Sequence, residues 1–273
     1  MNSKYIFLDI DGTLVDFEGK LADSALAALK AARANGHKLF VCTGRQRSQV
    51  YSWLLEKVEF DGIISSSGAY VEADGRLIAD HCFDGEYMGF LAKYFAASHT
   101  PFCVQSADAL ILEKWTAQAI NEYFLARGID GTKQSSLFGT VKTVENAAEL
   151  TVAEKIVYYS APKGTQGVAA DLGDRFNVVR FSFGNAADDC GEVTDSRYTK
   201  ATGIAEILKH FNASQGDTVA VGDGDNDLEM MDFAALGIAM GNGTPALKAA
   251  ADMITDDINS DGLYNAFKKI GVI

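Results

Sequence analysis

The sequence predicts an α/β fold whose core is built on a parallel sheet, with a second, α+β domain inserted into that core. Two observations lead to this prediction. Short apolar runs, typical of buried strands, alternate with helical stretches in residues 5–65 and again in residues 200–247. Between them, residues 82–190 mix aromatic-rich runs with helical stretches and lack that alternation. The predicted core therefore comprises 1–81 and 191–273.

The first half of the predicted core begins with Tyr5-Ile6-Phe7-Leu8, a continuous apolar run typical of a buried strand. The elements predicted after it are a helix over 22–35 that Gly36 ends, a strand over 38–42, a helix over 48–58 and a strand over 62–65. Asp74-Gly75, between two short apolar runs, predicts a hairpin with a type I′ turn.

The second half repeats the alternation near the C-terminus. The predicted elements are a helix over 200–210, a strand over 218–221, a helix over 227–236 and a strand over 237–240. Thr244-Pro245 then predicts another helix start, because threonine caps a helix and proline suits its first position.

Composition excludes several classes of protein. Apolar residues make up 48% of the chain and charged residues 22%, which is typical of a globular protein and not of a disordered one. The formal net charge of −13 argues against binding nucleic acid or an anionic membrane. The four cysteines form no C-x-x-C pair, and no apolar run reaches membrane-spanning length. We therefore expect a cytoplasmic protein, and the sequence indicates no obligate protein partner.

Polar clusters follow three of the predicted core strands. They are Asp9 with Asp11, the segment 43–45, and the segment 223–227. Because the carboxyl ends of parallel strands lie at one edge of a sheet, neighbouring strands would bring these clusters together. Several carboxylates in one place repel each other unless a cation is bound, and oxygen ligands without nearby histidine or cysteine favour Mg²⁺.

Two segments of the sequence partly match other motifs. Asp223, Asp225 and Asp227 match the first positions of an EF-hand loop, but Leu228 and Ala234 stand where that loop needs glycine and glutamate. The segment 241–246 formally matches a dinucleotide-binding fingerprint, yet no convincing strand with an acidic end follows it. The alternative for this segment is an ordinary tight turn between a strand and a helix.

Four motifs resemble those of the haloacid dehalogenase (HAD) superfamily. They occur in the family's order as Asp9-Ile10-Asp11-Gly12-Thr13-Leu14, Cys42-Thr43-Gly44-Arg45, Thr199-Lys200-Ala201-Thr202-Gly203-Ile204 and Gly222-Asp223-Gly224-Asp225-Asn226-Asp227. The wide gap between the second and third motifs is similar to the Cof-type branch, class IIB. The resemblance implies a Rossmann-like parallel-sheet core and an inserted α+β cap over 82–190 that selects the substrate.

The resemblance also implies the roles of individual residues. Asp9 would be the nucleophile that forms an aspartyl-phosphate, and Asp11 the general acid and base. Mg²⁺ would be held by Asp9, the carbonyl of Asp11, and Asp223. The groups implied to hold the phosphoryl oxygens are Thr43, the amide of Gly44, Lys200 and Asn226. Asp227 would orient Lys200 or a metal-bound water.

The implied activity is a Mg²⁺-dependent phosphatase that hydrolyses a small phosphorylated metabolite, such as a sugar phosphate, a nucleotide or a phosphorylated cofactor. The alternatives are a phosphomutase of the same superfamily and a non-catalytic protein that binds a phosphorylated ligand. Three details stay open. Arg45 either touches phosphate or pairs with an acid, Asp225 is either a ligand or a solvated helix-start acid, and Ser67 stands where many Cof-type members have asparagine.

Overall fold

A computed structural model describes residues 3–128, 140–180 and 189–273 of the protein. The strands in these residues are β1 (Tyr5–Leu8), β2 (Lys38–Cys42), β3 (Gly62–Ser65), β4 (Tyr70–Ala73), β5 (Arg76–Asp80), β6 (Phe102–Gln105), β7 (Leu110–Glu113), β8 (Val141–Val144), β9 (Lys155–Tyr158), β10 (Phe176–Arg180), β11 (Gly191–Asp195), β12 (Thr218–Gly222), β13 (Gly237–Ala239) and β14 (Met253–Ile254). The α-helices are α1 (Asp23–Ala34), α2 (Ser52–Lys57), α3 (Gly85–Ala97), α4 (Lys114–Leu125), α5 (Gly164–Leu172), α6 (Lys200–Phe211), α7 (Leu228–Phe233), α8 (Pro245–Ala250) and α9 (Gly262–Lys269). Across the described ranges, no helix has the length and apolar character that a membrane span requires.

The chain divides into two compact units. One unit joins Met1–Arg45, Val50–Asp80 and Thr199–Ile273, and the other joins Gln46–Gln49 and His81–Tyr198. Strand β11 belongs to the second unit, beyond residue 190 where the sequence placed the boundary, because it pairs with β9 and β10. The sequence contains no local sign of this pairing.

The first unit is built on an eight-stranded sheet in the order β14-β13-β12-β1-β2-β3-β4-β5. The six strands from β14 to β3 run parallel, and β4 and β5 are added antiparallel. Both faces of β1 are buried. Ile6 and Leu8 pack into a core with α1 and α9, whereas Phe7 packs on the other face with α6. Layers on both faces explain the continuous apolar run, and the predicted α/β fold class is confirmed.

The second unit contains a six-stranded sheet in the order β10-β11-β9-β6-β7-β8. Its pairs are antiparallel except β7 with β8. Apolar side chains cover both faces, with α3 and α5 packed on one face and α4 on the other. This mixture of strands and helices is the α+β character that the sequence predicts.

Local predictions hold best where turn chemistry dictates the backbone. Asp74 and Gly75 adopt φ of +50° and +68° between the antiparallel strands β4 and β5, as a type I′ turn requires. The helix predicted over 227–236 is shorter, because α7 ends at Phe233. Beyond it, the amide of Ala235 donates to the hydroxyl of Thr218, and the carbonyl of Leu236 accepts from Ala220. Pairing with β12 therefore draws the chain out of the helix.

The helix predicted over 48–58 is also interrupted. A short 3₁₀ turn, Arg47–Gln49, precedes α2, and Tyr51 between them has a non-helical ψ of 117°. The interruption places Tyr51 and Trp53 with their rings stacked, at 5.4 Å between centroids.

Asp61, directly before β3, connects the helix α1 and the strand β2 of the first unit, and its loss should destabilise the fold. Its carboxylate accepts from Arg33 of α1 at 2.6 Å, and from the side chain of Lys38 and the amide of Leu39 in β2 at 3.0 and 2.9 Å. We expect Asp61→Ala to lower the free energy of unfolding by about 2–3 kcal/mol, since charged groups lose their hydrogen bonds. Urea denaturation measures this.

The matched control is Glu18→Ala, which removes the exposed ion pair with Lys20. Its unfolding curve should overlay that of the native protein, because exposed pairs contribute little. Equal losses in the two variants would contradict a structural role for Asp61.

Candidate active site

Three neighbouring strands bring the predicted polar clusters together. Strand β1 lies between β12 and β2, with Tyr5 in register with both Thr218 and Lys38. Asp9, Thr43 and Asp223 each directly follow the last residue of one of these strands. The clusters therefore lie at one edge of the parallel sheet, as the carboxyl ends of parallel strands must.

Lys200 is the first residue of α6 and is buried beneath this edge. Its ammonium lies 2.8 Å from Oδ1 of Asp9 and also donates to Oδ1 of Asp227. Thr199 caps the helix, accepting from the amide of Thr202 while the Thr202 hydroxyl accepts from the amide of Thr199. This reciprocal capping fixes the start of the helix, and so the position from which Lys200 reaches the carboxylates.

All three charged groups of this cluster are buried. Relative exposures are 1% for Lys200, 5% for Asp9 and 0% for Asp227. Burial lowers the pKa of Lys200, but the charges of Asp227 and Asp9 outweigh it, so the pKa lies above its ordinary value. Burial raises the pKa of Asp9 well above its ordinary value, although Lys200 opposes this. Without an additional cation, the cluster therefore holds more carboxylate charge than one ammonium can balance.

Asp227 is fixed from both sides. Its Oδ2 accepts from the amides of Asp223 and Gly224, each at 3.0 Å, while Oδ1 accepts from Lys200. A Cβ on Gly222 would lie 2.4 Å from that Oδ2, so only glycine fits beside it. The carboxylate thus connects the end of β12 to the buried ammonium.

Asp9, Asp223 and Asp227 form a group that could hold a metal ion. One carboxylate oxygen from each lies within 4.8 Å of the others. Burial and the charge of Asp227 raise the pKa of Asp223 to about 7, although a hydrogen bond from Thr13 opposes this. The three carboxylates repel one another, and a bound cation would relieve this repulsion. Because all the donor atoms are oxygens, the group fits a hard divalent cation. The side chain of Asp11 is not a member of this group.

Thr13 and Asn242 hold the loops that carry the acidic residues, although the sequence assigns no role to either of them. The hydroxyl of Thr13 donates to Oδ1 of Asp223 at 3.1 Å. The side chain of Asn242 donates to the carbonyl of Gly12 at 2.7 Å and accepts from the amide of Ile258 at 3.0 Å. Asn242 lies in the glycine-rich turn before α8, so this segment supports the loop that follows Asp11.

Asp225 lies outside the carboxylate group. It is exposed, and its Oδ1 accepts from the hydroxyl of Thr244, the residue that caps α8. Asp225 therefore connects the loop after β12 to the start of α8. Of the two alternatives left open by the sequence, this arrangement is closer to the solvated acid than to the ligand.

The side chains of Asn226 and Ser67 both lie close to Gly44. A Cβ on Gly44 would meet Nδ2 of Asn226 at 3.4 Å and Oγ of Ser67 at 3.5 Å. Thr43 is buried at the end of β2, where its hydroxyl accepts from the amide of Arg45 at 3.2 Å. These groups offer small, neutral hydrogen-bonding partners of the kind that surround a phosphoryl group.

Ser67 reaches this position through an unusual backbone. Ser66 and Ser67 have φ of +48° and +56°, a left-handed conformation that non-glycine residues rarely adopt. The amide of Ser66 donates to the carbonyl of Arg45 and that of Ser67 to the carbonyl of Thr43. These bonds hold the strained turn against the end of β2.

Asp11 points away from the buried carboxylates. Its two oxygens accept from Arg45, Oδ2 from Nε at 2.6 Å and Oδ1 from Nη2 at 2.7 Å. Arg45 pairs with an acid in this structure, which is one of the alternatives the sequence left open. Burial lowers the pKa of Arg45, but the hydrogen bond and charge of Asp11 raise it above its ordinary value.

Gly12 leaves no room for a side chain. Its φ is +81°, and a Cβ would lie 2.1 Å from Oδ2 of Asp223. Gly19 has a similar φ of +80° with no atom within 4 Å of such a Cβ. We expect Gly19→Ala to cost about 1 kcal/mol of folding free energy through backbone strain.

Gly12→Ala should cost an additional 1–3 kcal/mol or so, because the methyl group must displace Asp223. Thermal denaturation of the two variants measures the difference. Equal losses would mean that Asp223 moves aside at no cost, and that contact with Asp223 does not require glycine at position 12.

Comparisons with known proteins place these features in a family. The family model for haloacid dehalogenase-like hydrolases matches residues 6–267. YkrA of Bacillus subtilis, provisionally named a phosphatase, is 27% identical over 274 residues, which cover 100% of both chains. The chloroplastic endoribonuclease YBEY of Arabidopsis thaliana is 27% identical over 270 residues, but the chain spans only 45% of that protein's length.

A solved structure gives the same relationship in three dimensions. It is described as the HAD subclass IIB sugar phosphatase BT4131 and superposes with a TM-score of 0.84 at 28% identity, covering 99% of this chain and 100% of that one. The family match extends over nearly the whole sequence and includes every residue of the carboxylate group. The chain therefore belongs to the haloacid dehalogenase-like hydrolase family, and the relatives support its assignment as a phosphoric monoester hydrolase.

Proposed function

We propose that the protein is a Mg²⁺-dependent phosphatase that hydrolyses small-molecule phosphomonoesters through an aspartyl-phosphate on Asp9. The observation that carries the proposal is the buried contact of Lys200 with Asp9 and Asp227, beside Asp223. A protein that only bound phosphate would gain nothing from gathering three carboxylates where an anion must arrive. A nucleophile and a cation site give these carboxylates a use.

Asp9 is the proposed nucleophile. Lys200 occupies its Oδ1 at 2.8 Å, so we assign the attack to Oδ2. The same ammonium would neutralise part of the charge on the incoming phosphoryl group. Lys200 would thus hold the nucleophile in position and also reduce its electrostatic repulsion of the substrate.

The residues proposed to hold Mg²⁺ are Asp9, Asp223 and the carbonyl of Asp11. Carboxylate oxygens of Asp9 and Asp223 already lie close together, and their donor atoms fit this ion. The ion would screen the repulsion between carboxylate and phosphate. Asp227 lies in the same group, but its two oxygens already accept from Lys200 and the two amides, so we assign it to orienting those groups.

Thr43, Gly44, Lys200 and Asn226 are the proposed partners of the phosphoryl oxygens. Gly44 and Asn226 face the same point, and Thr43 and Lys200 lie at the ends of elements beside Asp9. Such donors stabilise the charge that the oxygens carry during transfer, because they are in place before the reaction begins. Ser67 adds a hydroxyl to this set.

Asp11 is the proposed general acid and base. Before the first step, one oxygen of Asp11 leaves Arg45 and carries a proton, which the water of the preceding cycle supplies. Oδ2 of Asp9 then bonds to phosphorus while the bond from phosphorus to the leaving oxygen breaks and that oxygen takes the proton of Asp11. In the second step, water attacks phosphorus and gives its proton to Asp11. The bond from Asp9 to phosphorus then breaks, and inorganic phosphate leaves with both aspartates restored.

The second unit is proposed to select the leaving group. The substrate is expected among sugar phosphates, nucleotides and phosphorylated cofactors. The similarity to BT4131, described as a sugar phosphatase, supports testing sugar phosphates first.

The test is release of inorganic phosphate from a panel of phosphomonoesters with Mg²⁺. We expect release by the native protein, and none by Asp9→Asn or in excess chelator, because the variant removes the attacking charge and the chelator removes the ion. Asp225→Asn is the matched control, since it makes the same chemical change outside the carboxylate group. Transfer of the phosphoryl group from one hydroxyl group of the substrate to another, without release of inorganic phosphate, would indicate a phosphomutase instead.

Mg²⁺ should stabilise the protein more as pH rises. The pKa of Asp223, about 7 in the folded protein, exceeds that of an unfolded aspartate. At Asp223 the metal-free fold therefore binds more protons than the unfolded chain, and the contribution of this group to stability falls as pH rises between about 4 and about 7. Ionisation in this window also creates the ligand that Mg²⁺ needs.

Thermal unfolding with and without Mg²⁺, at about pH 5 and about pH 8, tests this linkage. The rise in Tm caused by the ion should be larger at the higher pH and should largely vanish in Asp223→Asn. A rise of the same size at both values, or one retained in the variant, would place the ion elsewhere.

A further inference from the structure

We propose that Arg45, supported by Tyr51, is a positioning residue that fixes the carboxyl group of Asp11 for proton transfer to the leaving group. The inference rests on the proposed function, because it assigns Asp11 the role of acid and base. It goes beyond that function by assigning a role to Arg45 and Tyr51. All the residues involved belong to the first compact unit.

Asp11 needs an external restraint. Its side chain is 46% exposed, whereas Asp9 two residues earlier is buried and held by Lys200. An exposed aspartate rotates about two torsions, yet proton transfer in the transition state needs a defined direction and a short distance. The protein must therefore hold this carboxyl group from outside the buried cluster.

Arg45 provides that restraint through two parallel hydrogen bonds. Its Nε donates to Oδ2 of Asp11 at 2.6 Å and its Nη2 donates to Oδ1 at 2.7 Å. A planar guanidinium that contacts both oxygens fixes the plane of the carboxylate as well as its position. A lysine at this place would supply charge but could not fix the plane.

Arg45 is itself held in place. Nη2 also donates to the hydroxyl of Tyr51 at 2.7 Å, and the guanidinium carbon lies 4.4 Å from the centre of the Tyr51 ring. The Tyr51 ring stacks on Trp53, and the main chain of Arg45 is fixed by bonds to Thr43 and Ser66. When one bond to Asp11 opens for proton transfer, the contacts with Tyr51 can keep the guanidinium in position.

The rival role for Arg45 is a direct contact with the phosphoryl group. In this structure, its Nε and Nη2 are directed to Asp11 and Tyr51, whereas Gly44, Asn226 and Ser67 face each other as a separate set. The two roles differ in what they predict for different leaving groups. Phosphoryl binding serves all phosphomonoesters alike, while proton donation matters most when the leaving oxygen is strongly basic.

The experiment compares kcat/KM for an alkyl phosphate and for 4-nitrophenyl phosphate, which leaves without needing a proton. For each substrate, kcat/KM depends only on the steps up to departure of the leaving group. The later hydrolysis of the aspartyl-phosphate therefore does not affect it. For Arg45→Lys, we expect a loss of about 10–100-fold with the alkyl phosphate, because general acid catalysis contributes factors of this size and above. We expect almost no loss with 4-nitrophenyl phosphate.

Two further variants make the pattern specific. Asp11→Asn should show the same selectivity with a larger loss, and Tyr51→Phe the same selectivity with a smaller one, because it keeps the ring and removes only the hydroxyl. Lys57→Ala is the control: Lys57 lies over the ring of Trp53, at 5.2 Å. It should leave both substrates unchanged.

The outcomes separate the two proposals. Equal losses with both substrates in Arg45→Lys, or faster turnover of the alkyl phosphate, would overturn the positioning role and leave the phosphatase assignment intact. Absence of phosphate release by the native protein from every phosphomonoester of the panel would overturn the phosphatase assignment, and the positioning role with it. If Arg45→Lys fails to fold, Tyr51→Phe decides by the same comparison.

Discussion

The buried ammonium of Lys200 is the interaction on which the rest of the site depends. It lies between Asp9 and Asp227, and its charge offsets the repulsion between these two buried carboxylates. Its position comes from the start of α6, which reciprocal capping by Thr199 and Thr202 fixes. A helix terminus, a strand end and a loop are therefore held together by one charge, and loss of that charge would leave two buried carboxylates repelling each other.

The order of the strands is the second constraint. Strand β1 is central, between β12 and β2, so the residues after these three strands meet although they are far apart in sequence. Continuous apolar runs bury both faces of these strands and leave the loops at their ends as the places where polar groups can collect. The acidic edge is thus a consequence of the topology, and glycines such as Gly12 and Gly222 give the loops room to approach each other.

The sequence was sufficient for much of the fold and for the set of polar groups, because both depend on local patterns. Apolar runs predict strands, and motif residues directly follow them. It was not sufficient for the contacts that depend on tertiary approach. Thr13 and Asn242 reach partners more than 200 positions away in sequence, so no local signal announces them. Pairing with β12 shortened the helix that ends at Phe233, and pairing with β9 and β10 placed β11 in the second unit.

Asp9 and Asp11 lie two residues apart, yet the protein gives them opposite surroundings. Asp9 is buried and held by an ammonium, whereas Asp11 is half exposed and held by a guanidinium. Ile10 lies between them, and its carbonyl accepts from the amides of Leu14 and Val15, so a turn begins directly after Asp9. A nucleophile must stay ionised and immobile, while an acid and base must exchange its proton with a leaving group and then with water. Placing one inside the charge cluster and the other at its rim suits the roles proposed for them, nucleophile for Asp9 and acid and base for Asp11, and each carboxylate has its own cationic partner.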